Sequence, residues 1–277
     1  MGLFGKLFEK KVCDICGGDI GLLGNRKLED GNCCKECAAK LSPWFNERRQ
    51  SSVADIKEQI EYREENKAAV AAFHTTRTLG RNTKVLLDED AGVFMVTSAR
   101  NLSEANPDVI AFSQVTGCDL DIEEHKTEEK RQVKDSEGHM KSVSYNPPRY
   151  KYSYDFYMII RVNTRYFDEI KFKLNSSSVE VDMKGRPMAN TMMGMVGQMP
   201  LSGQTSADPR MADPDYAEFY TMGMEIKTAL TQIHAKVRED IAKAEAPKMA
   251  ITCPWCGATT IPDAAGCCEY CGGSLKG

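Results

Sequence analysis

The sequence lacks the residue constellations of the common enzyme classes. It has four histidines among 277 residues, and no two of them have the spacing of a catalytic metal site. It contains no Ser-His-Asp or Cys-His arrangement with supporting context, no glycine-rich phosphate loop and no nucleotide fingerprint. We therefore expect no enzymatic activity. We expect the histidines to lie at the surface or at interfaces: His74, His125, His139 and His234.

Long hydrophobic runs and a strong excess of one charge are also missing. The longest apolar stretches have the length of strands, which disfavours a membrane-spanning helix, and the N-terminus lacks the apolar core and cleavage site of a secretory signal. The 36 basic and 40 acidic residues give a net charge of −4, which disfavours a dedicated nucleic-acid binder. These features predict a cytoplasmic protein with one medium domain and small appendages.

Cysteine, by contrast, is abundant and ordered. Eight of the eleven cysteines form four Cys-x-x-Cys pairs, two near each end of the chain. Two intervening residues let a tight turn direct both sulfurs to one metal, so the pairs predict two tetrahedral Zn²⁺ sites. Four thiolates leave no coordination position for an activated water, so both ions are expected to be structural. The predicted ligands are Cys13, Cys16, Cys34 and Cys37 in the first site, and Cys253, Cys256, Cys268 and Cys271 in the second.

The residues after each pair support a metal site. Glycine follows three of the pairs, where the turn of a zinc knuckle commonly needs a positive φ. The pair Cys34/Cys37 runs instead into Ala-Ala-Lys-Leu, which predicts that the last ligand lies at the start of a short helix. That is the treble-clef manner of closing a site.

Three cysteines fall outside the pairs, and the alternative to metal binding is a set of disulfide bonds. A disulfide framework is disfavoured by the odd number of cysteines and by the missing secretory signal. Cys33 and Cys267 each precede a ligand pair, and each is either a spare thiol or an alternate ligand. Cys118 lies in an apolar strand pattern, which favours a small buried hydrophobic residue.

The N-terminal part of the chain divides into three segments. Residues 1–11 form a short amphipathic tail with Leu3, Phe4, Leu7 and Phe8 on one helical face, and residues 2–11 are either an anchor to a membrane surface or partner, or a tail that docks on the protein itself. Residues 12–46 form the first zinc module, with an apolar edge at 41–45 that packs on it.

A connecting helix is predicted over residues 50–76. Ser51 or Ser52 caps it, and its apolar residues recur at helical spacing around a charged middle, Glu58 to Lys67, which predicts a solvated face.

Residues 80–245 show the pattern of an antiparallel β domain closed by a helix. Apolar residues alternate along 150–162, 170–174 and 179–183, and a hairpin is predicted over 85–96. Residues 123–149 predict a long exposed loop. The Met- and Gly-rich passage 185–212 is either a mobile linker or an adaptable binding patch. A helix over 213–245 begins with Asp213 as its N-cap and Pro214 at its first position.

Six or seven antiparallel strands followed by one amphipathic helix have the organisation of a pleckstrin-homology (PH)-like domain. The predicted fold class is therefore α+β: a PH-like antiparallel β-barrel or sandwich with a C-terminal capping helix, flanked by two four-cysteine zinc modules. The second module occupies residues 250–277.

Two stretches resemble known families. Residues Cys13 to Phe45, with Cys-Asp-Ile-Cys-Gly-Gly, Gly-Leu-Leu-Gly and Leu-Ser-Pro, resemble an uncharacterised bacterial four-cysteine module. That resemblance implies an adjoining PH-like domain, and the region Tyr152–Leu174 is similar to one. The motifs Cys-Pro-Trp-Cys-Gly and Cys-Glu-Tyr-Cys-Gly near the C-terminus resemble the common bacterial zinc ribbon, which implies metal binding and no particular activity.

These patterns favour a non-enzymatic, zinc-binding adaptor that acts through contacts with protein partners, with peripheral membrane attachment through residues 2–11 as an extension. The alternative is a nucleic-acid-binding zinc-ribbon protein. It is the weaker hypothesis because Glu269 and Asp263 accompany Trp255 and Tyr270 around the second site, with only Lys248 and Lys276 as nearby cations.

Overall fold

The computed structural model describes residues 11–182, 208–245, 250–263 and 265–275. The chain divides into two compact units between His234 and Ala235. Residues 1–10 and 183–207 lie outside the described residues, so the expectations for the N-terminal tail and for most of the Met- and Gly-rich passage stay predictions.

The N-terminal module consists of four two-residue strands and one short helix. Antiparallel pairs form between β1 (Lys11–Val12) and β2 (Asp19–Ile20), and between β3 (Arg26–Lys27) and β4 (Asn32–Cys33), followed by α1 (Lys35–Ala38). Leu28 and Leu41 join the cysteines in a small core, and Phe45 packs against it. The predicted apolar edge at 41–45 is therefore confirmed.

Helix α2 (Val53–Ala72) completes this core. Ser52 caps it: the Ser52 hydroxyl accepts from the Asp55 amide, and the Asp55 carboxylate accepts from the Ser52 amide. One turn further on, Ile56 is fully buried among the residues of the cysteine module. A small metal module gains apolar area in this way that it cannot supply alone.

The charged middle of α2 is not simply a solvated face, and this corrects the sequence interpretation. Gln59, Arg63 and Asn66 are at most 6% exposed, although Glu58, Glu61 and Glu64 on the opposite side are open to solvent. The spacing of three to four residues aligns the three buried polar groups on one side of the helix.

This buried polar side forms a network with the segment Asn106–Asp108. Arg63 Nη1 donates to Asp108 Oδ1 over 2.6 Å, and Arg63 Nη2 donates to the carbonyl of Asn106. Asn66 Nδ2 donates to Asn106 Oδ1 over 2.8 Å. Ser42, from the cysteine module, donates to Asp108 Oδ2 over 2.8 Å. Burial raises the pKa of Asp108, while the Arg63 charge and both hydrogen bonds oppose that rise.

The first sheet of the middle region has four antiparallel strands in sequence order. They are β5 (Arg77–Gly80), β6 (Lys84–Asp88), β7 (Val93–Thr97) and β8 (Ile110–Ala111), with helix α3 (Leu102–Ala105) between β7 and β8. The predicted hairpin over 85–96 is confirmed as β6 and β7.

The second sheet is built on one very long strand. Strand β10 (Met140–Val162) pairs along its length with β9 (Val115–Lys134), and its other edge carries β11 (Glu169–Lys173) and β12 (Val179–Val181). The predicted alternation is confirmed: six side chains at every second position are buried, from Tyr152 to Val162. Cys118 on β9 is also buried, as expected.

The predicted loop at 123–149 is wrong. These residues extend β9 and β10 into an antiparallel hairpin whose turn is Asp135–His139. The polar composition carries no alternating apolar signal, since the described residues leave most side chains on both faces of this hairpin exposed. Pairing instead propagates outward from the core part of β10, and Pro147 and Pro148 lie in an irregularity between Ser144 and Arg149.

Helix α4 (Pro214–Glu245) begins as predicted. Asp213 Oδ1 accepts from the amides of Asp215 and Tyr216, which makes Asp213 the N-cap. Tyr216 is fully buried, and its ring meets those of Tyr154 and Phe156 with centroids 5.0 Å away.

The same helix faces the first sheet. Arg81, at the end of β5, forms an ion pair with Glu218, and Arg77 pairs with Glu225 over 3.6 Å. The first part of α4 thus lies against strands of both sheets.

Gly223 marks the closest approach of α4 to the second sheet. A Cβ built on it would lie 2.5 Å from Leu120 Cδ1, so Gly223→Ala requires Leu120 to move. Alanine normally stabilises a helix interior by about 1 kcal/mol relative to glycine. Here we expect the opposite sign, a loss of about 1–3 kcal/mol through overpacking. Urea unfolding measures it.

The matched control is Gly223→Ala combined with Leu120→Ala. Removing the Leu120 side chain frees the space, so the double variant should lose less stability than the two single changes added together. Simple additivity would contradict a steric origin.

The strands of the described residues form separate sheets and no closed barrel, so the barrel expectation is not confirmed. The α+β class and the helix that follows the strands are confirmed. The second unit contains a pair of short antiparallel strands, β13 (Ile251–Thr252) and β14 (Thr259–Thr260). Within the described residues, no helix has both the length and the apolarity needed to cross a membrane. The described part of the chain also contains three short 3₁₀ helices, at Arg48–Gln50, Phe112–Gln114 and Pro209–Ala212.

Candidate metal centres

The structure brings the four predicted ligands of each site together. In each quartet the sulfur atoms all lie within 4.8 Å of one another. The eleven cysteines are free, so the disulfide alternative has no support. The two quartets are Cys13, Cys16, Cys34 and Cys37, and Cys253, Cys256, Cys268 and Cys271.

The distances between sulfurs suit a tetrahedral ion. A Zn–S bond of about 2.3 Å places the corners of a tetrahedron about 3.8 Å apart. The sulfurs of Cys16 and Cys34 are 3.8 Å apart, and in the second site Cys256 and Cys268 are separated by 3.7 Å. The donor set of four soft thiolates also fits zinc better than magnesium or calcium. Each group could therefore hold one Zn²⁺.

Three of the four pairs share one turn. After the first cysteine the chain reverses, so that the amide four residues on donates to its carbonyl: Gly17 to Cys13 over 2.8 Å, and Gly257 to Cys253 over 2.9 Å. Both glycines have φ near +70°, as does Gly272 in the third turn. The predicted need for glycine at these turns is confirmed.

The fourth pair closes its site differently. Cys34 is the N-cap of α1, its sulfur accepts from the Cys37 amide over 3.3 Å, and Cys37 lies inside the helix. The Cys34 amide in turn donates to the sulfur of Cys13 over 3.2 Å. The start of α1 and the turn after Cys13 therefore bring their sulfurs to the same site, as the sequence predicts.

In the first quartet, the surroundings favour ionisation of one cysteine and disfavour ionisation of several at once. Although burial opposes ionisation of Cys13, amides of Cys16, Cys34 and Ile15 donate to its sulfur and lower its pKa to about 6. Burial and the neighbouring sulfurs raise the pKa of Cys37. Like charges this close cannot all ionise alone, and a bound dication removes that repulsion.

The spare cysteines are now distinguished from the ligands. Cys33 is the last residue of β4 and directly precedes the ligand Cys34, and its thiol donates to the Cys34 carbonyl over 3.4 Å. Burial raises the pKa of the Cys33 thiol to about 12. Neither Cys33 nor Cys267 belongs to either quartet of clustered sulfurs. Of the histidines, His74, His125 and His139 are exposed, and His234 is partly exposed.

Both modules also display apolar side chains that the sequence reasoning did not single out as exposed. Leu22 and Leu23 are 78% and 89% exposed in the turn between β2 and β3. In the second module, Trp255 and Tyr270 are 73% and 71% exposed. Each aromatic residue occupies the position before the second cysteine of its pair, where a knuckle directs side chains outward. An aromatic residue at this position in a Cys-x-x-Cys pair is therefore the sequence signal that predicts an exposed ring.

Trp255 is held rigidly despite its exposure. Its indole Nε1 donates to the carbonyl of Ser274 over 3.2 Å, and the ring lies on Gly273, where an added Cβ would be 2.6 Å from Trp255 Cδ1. A side chain fixed in this way loses little conformational entropy when another molecule covers it.

Comparison with known proteins adds one finding. A family model described as "Domain of unknown function (DUF4428)" matches residues 11–59, which contain the first cysteine quartet and the start of α2. No curated protein and no solved structure matches the chain. The N-terminal region is therefore similar to a domain family of unknown function.

Proposed function

We propose that the protein is a non-enzymatic, zinc-binding adaptor that acts through protein contacts. Each cysteine quartet holds one structural Zn²⁺, and the ions stabilise small modules that present apolar side chains to a partner. The closed donor sets support this role, because four thiolates leave no position for substrate or water.

The observation that carries the proposal is the immobilised, exposed indole of Trp255. Tryptophan and tyrosine are the side chains most enriched at the energetic centres of protein interfaces, and rigid ones bind at the lowest entropic cost. Trp255 also lies next to a zinc ligand, so metal binding and presentation of the indole are linked.

We further propose that the middle region is PH-like and that the first module is a treble clef. Two four-stranded antiparallel sheets followed by a helix that touches both support the first assignment. A glycine knuckle followed by a helix that carries the last ligand supports the second. The extension to peripheral membrane attachment rests on residues 2–11, outside the described residues.

The test is recovery of a partner from the host cell by the tagged full-length chain. We expect Trp255→Ala to lose a partner that the unmodified chain retains, while keeping two zinc ions per chain. Gly273→Ala should act in the same way, because its methyl group displaces the indole from its platform. Met140→Ala, which removes an apolar side chain 60% exposed elsewhere, is the matched control and should retain the partner.

Retention of every partner by both Trp255→Ala and Gly273→Ala would contradict this docking role. Loss of zinc in either variant would instead show that the change acts on the metal site. Zinc content is therefore measured on each preparation before partner recovery is compared.

Nucleic-acid binding through the second module has less support. Its described residues, 250–263 and 265–275, contain Asp263 and Glu269 and no lysine or arginine. Four thiolates around one dication leave a further net negative charge. This surface would repel phosphates.

A further inference from the structure

The distal part of the long hairpin is a two-stranded arm. Residues Thr127–Lys134 of β9 pair with Met140–Lys151 of β10, and within this stretch no third strand of the described residues joins either edge. We call this segment the β-arm. Strand β12 pairs with β10 only at Tyr152–Tyr154, at the base of the arm.

The β-arm carries a charge opposite to that of the whole chain. Its strands contain six lysines and arginines and only two acidic residues, Glu128 and Glu129, whereas the chain has a net charge of −4. All six cationic side chains are exposed, and none forms an ion pair with a described residue. They are Lys130, Arg131, Lys134, Lys141, Arg149 and Lys151.

The pairing register places four of these cations on one face. Lys151 pairs with Thr127, Arg149 with Glu129, and Lys141 with Val133, while Arg131 lies on β9 between them. Every second residue of a strand points to the same face, so residues 127, 129, 131 and 133 and their partners on β10 lie on one side of the ribbon. This basic face carries Arg131, Lys141, Arg149 and Lys151. It also carries one acidic residue, Glu129, which forms no ion pair with a described residue, so four cations face one carboxylate.

One tyrosine ring contacts two of the four cations of the basic face without neutralising them. The guanidinium carbon of Arg149 lies 4.5 Å from the centre of the Tyr145 ring, and that of Arg131 lies 6.0 Å from it. At the base, Lys126 Nζ lies 4.1 Å from the Tyr150 ring. A carboxylate in these positions would cancel the charge, whereas a ring orients it and leaves it available to an anion.

We propose that the basic face of the β-arm binds the phosphate backbone of double-stranded DNA, with the arm lying in the major groove. The groove of B-DNA, about 12 Å wide, admits a two-stranded β-ribbon. Uncompensated lysines and arginines supply the sequence-independent attraction. This role goes beyond the adaptor function and does not depend on it, since it uses neither metal site.

The shape favours duplex DNA over the other polyanions. The major groove of A-form RNA is too narrow for side chains to read, and an arm that lies flat on a membrane would need apolar side chains at its surface. On the arm, only two large apolar side chains of the described residues are exposed, Met140 at 60% and Tyr150 at 43%.

The experiment measures binding of the nuclease-treated, full-length protein to a fluorescein-labelled duplex of about 20 base pairs, by anisotropy between 50 and 200 mM KCl. Four phosphate contacts by the basic face would give a slope of log K against log salt of about −3.6. Neutralising the basic face with Arg131→Gln, Lys141→Gln, Arg149→Gln and Lys151→Gln should reduce the slope by about 3–4 and weaken binding at 100 mM KCl more than about tenfold.

A matched variant separates the effect of charge on the β-arm from the effect of the net charge of the chain. Lys35→Gln, Lys57→Gln, Lys84→Gln and Arg100→Gln remove the same charge at exposed positions elsewhere that form no ion pair with a described residue, and binding should change little. Circular dichroism of both variants verifies the fold. The proposal is supported if only the arm variant weakens binding and flattens the salt dependence.

Three results would overturn the proposal. The first is no binding by the unmodified protein at 50 mM KCl up to about 10⁻⁴ M, the weak end of non-specific affinities. The second is equal loss of binding in the two variants. The third is tighter arm-dependent binding to duplex RNA, or to phosphatidylserine-containing vesicles, than to DNA.

Discussion

Chelating the metal is expected to unfold the two cysteine modules and to leave the central sheets folded. Structural zinc contributes on the order of 10 kcal/mol to the folding of a small module, more than the apolar core of either module can supply. Mass spectrometry under native conditions should detect two zinc ions per chain. Hydrogen exchange after chelation should show loss of protection in 11–45 and 250–275, and continued protection in β6, β7 and the core part of β10.

Cysteine variants assign each ion. Cys34→Ser with Cys37→Ser, and Cys253→Ser with Cys256→Ser, should each leave one ion per chain. Cys33→Ala and Cys267→Ala are the matched controls, adjacent to ligands but outside the quartets, and should retain both ions. One ion lost in a control, or full loss of sheet protection on chelation, would contradict the assignment and the modular structure respectively.

Loss of the buried ion pair between Arg63 and Asp108 is expected to be the most destabilising single change outside the cysteines. Both side chains are at most 6% exposed, and Asp108 accepts from Arg63 and Ser42 at once. Arg63→Met leaves an uncompensated carboxylate in a buried position, which typically costs about 3–5 kcal/mol. Urea unfolding followed by circular dichroism measures the loss.

Lys67→Met on the same helix is the control. Lys67 pairs with Glu64, but both side chains are 54% exposed, so this change should cost at most about 1 kcal/mol. Combining Arg63→Met with Asp108→Leu should recover part of the stability, because the orphaned charge is removed as well. An Arg63→Met variant as stable as Lys67→Met would show that the pair contributes nothing.

The local features of this chain could be predicted from its sequence. A Cys-x-x-Cys pair fixes the position of two sulfurs within one turn, so the quartets follow from spacing alone. Ser52 and Asp213 cap helices by accepting hydrogen bonds from amides two or three residues away. The buried face of β10 is predicted by its alternating apolar residues.

The features that the sequence did not reveal depend on distant partners. Arg63 and Asp108 are separated by 45 residues in the sequence. From the sequence alone, a charged helix that has a buried partner cannot be distinguished from a charged helix that faces water. The sequence predicts a loop where the β-arm forms, because the pairing of the arm depends on a neighbouring strand and not on apolar alternation. Cys33 and Cys34 are neighbours in the sequence, so spacing alone leaves either one available as a ligand. The fold makes Cys34 the N-cap of α1 and places its sulfur in the quartet.

The helix that completes the first module also sets where that module can be cut and transplanted. The matched family region ends at residue 59, inside α2, after the turn that carries Ile56 and before Arg63. A graft cut at that point would carry Ile56 but not Ile60, which also packs on the module, and it would separate Ser42 and Glu58 from Asp108 and Arg165, their partners in the middle region. A transplanted module should therefore end beyond Ile60, and its new carrier protein has to supply a hydrogen-bond acceptor for Ser42.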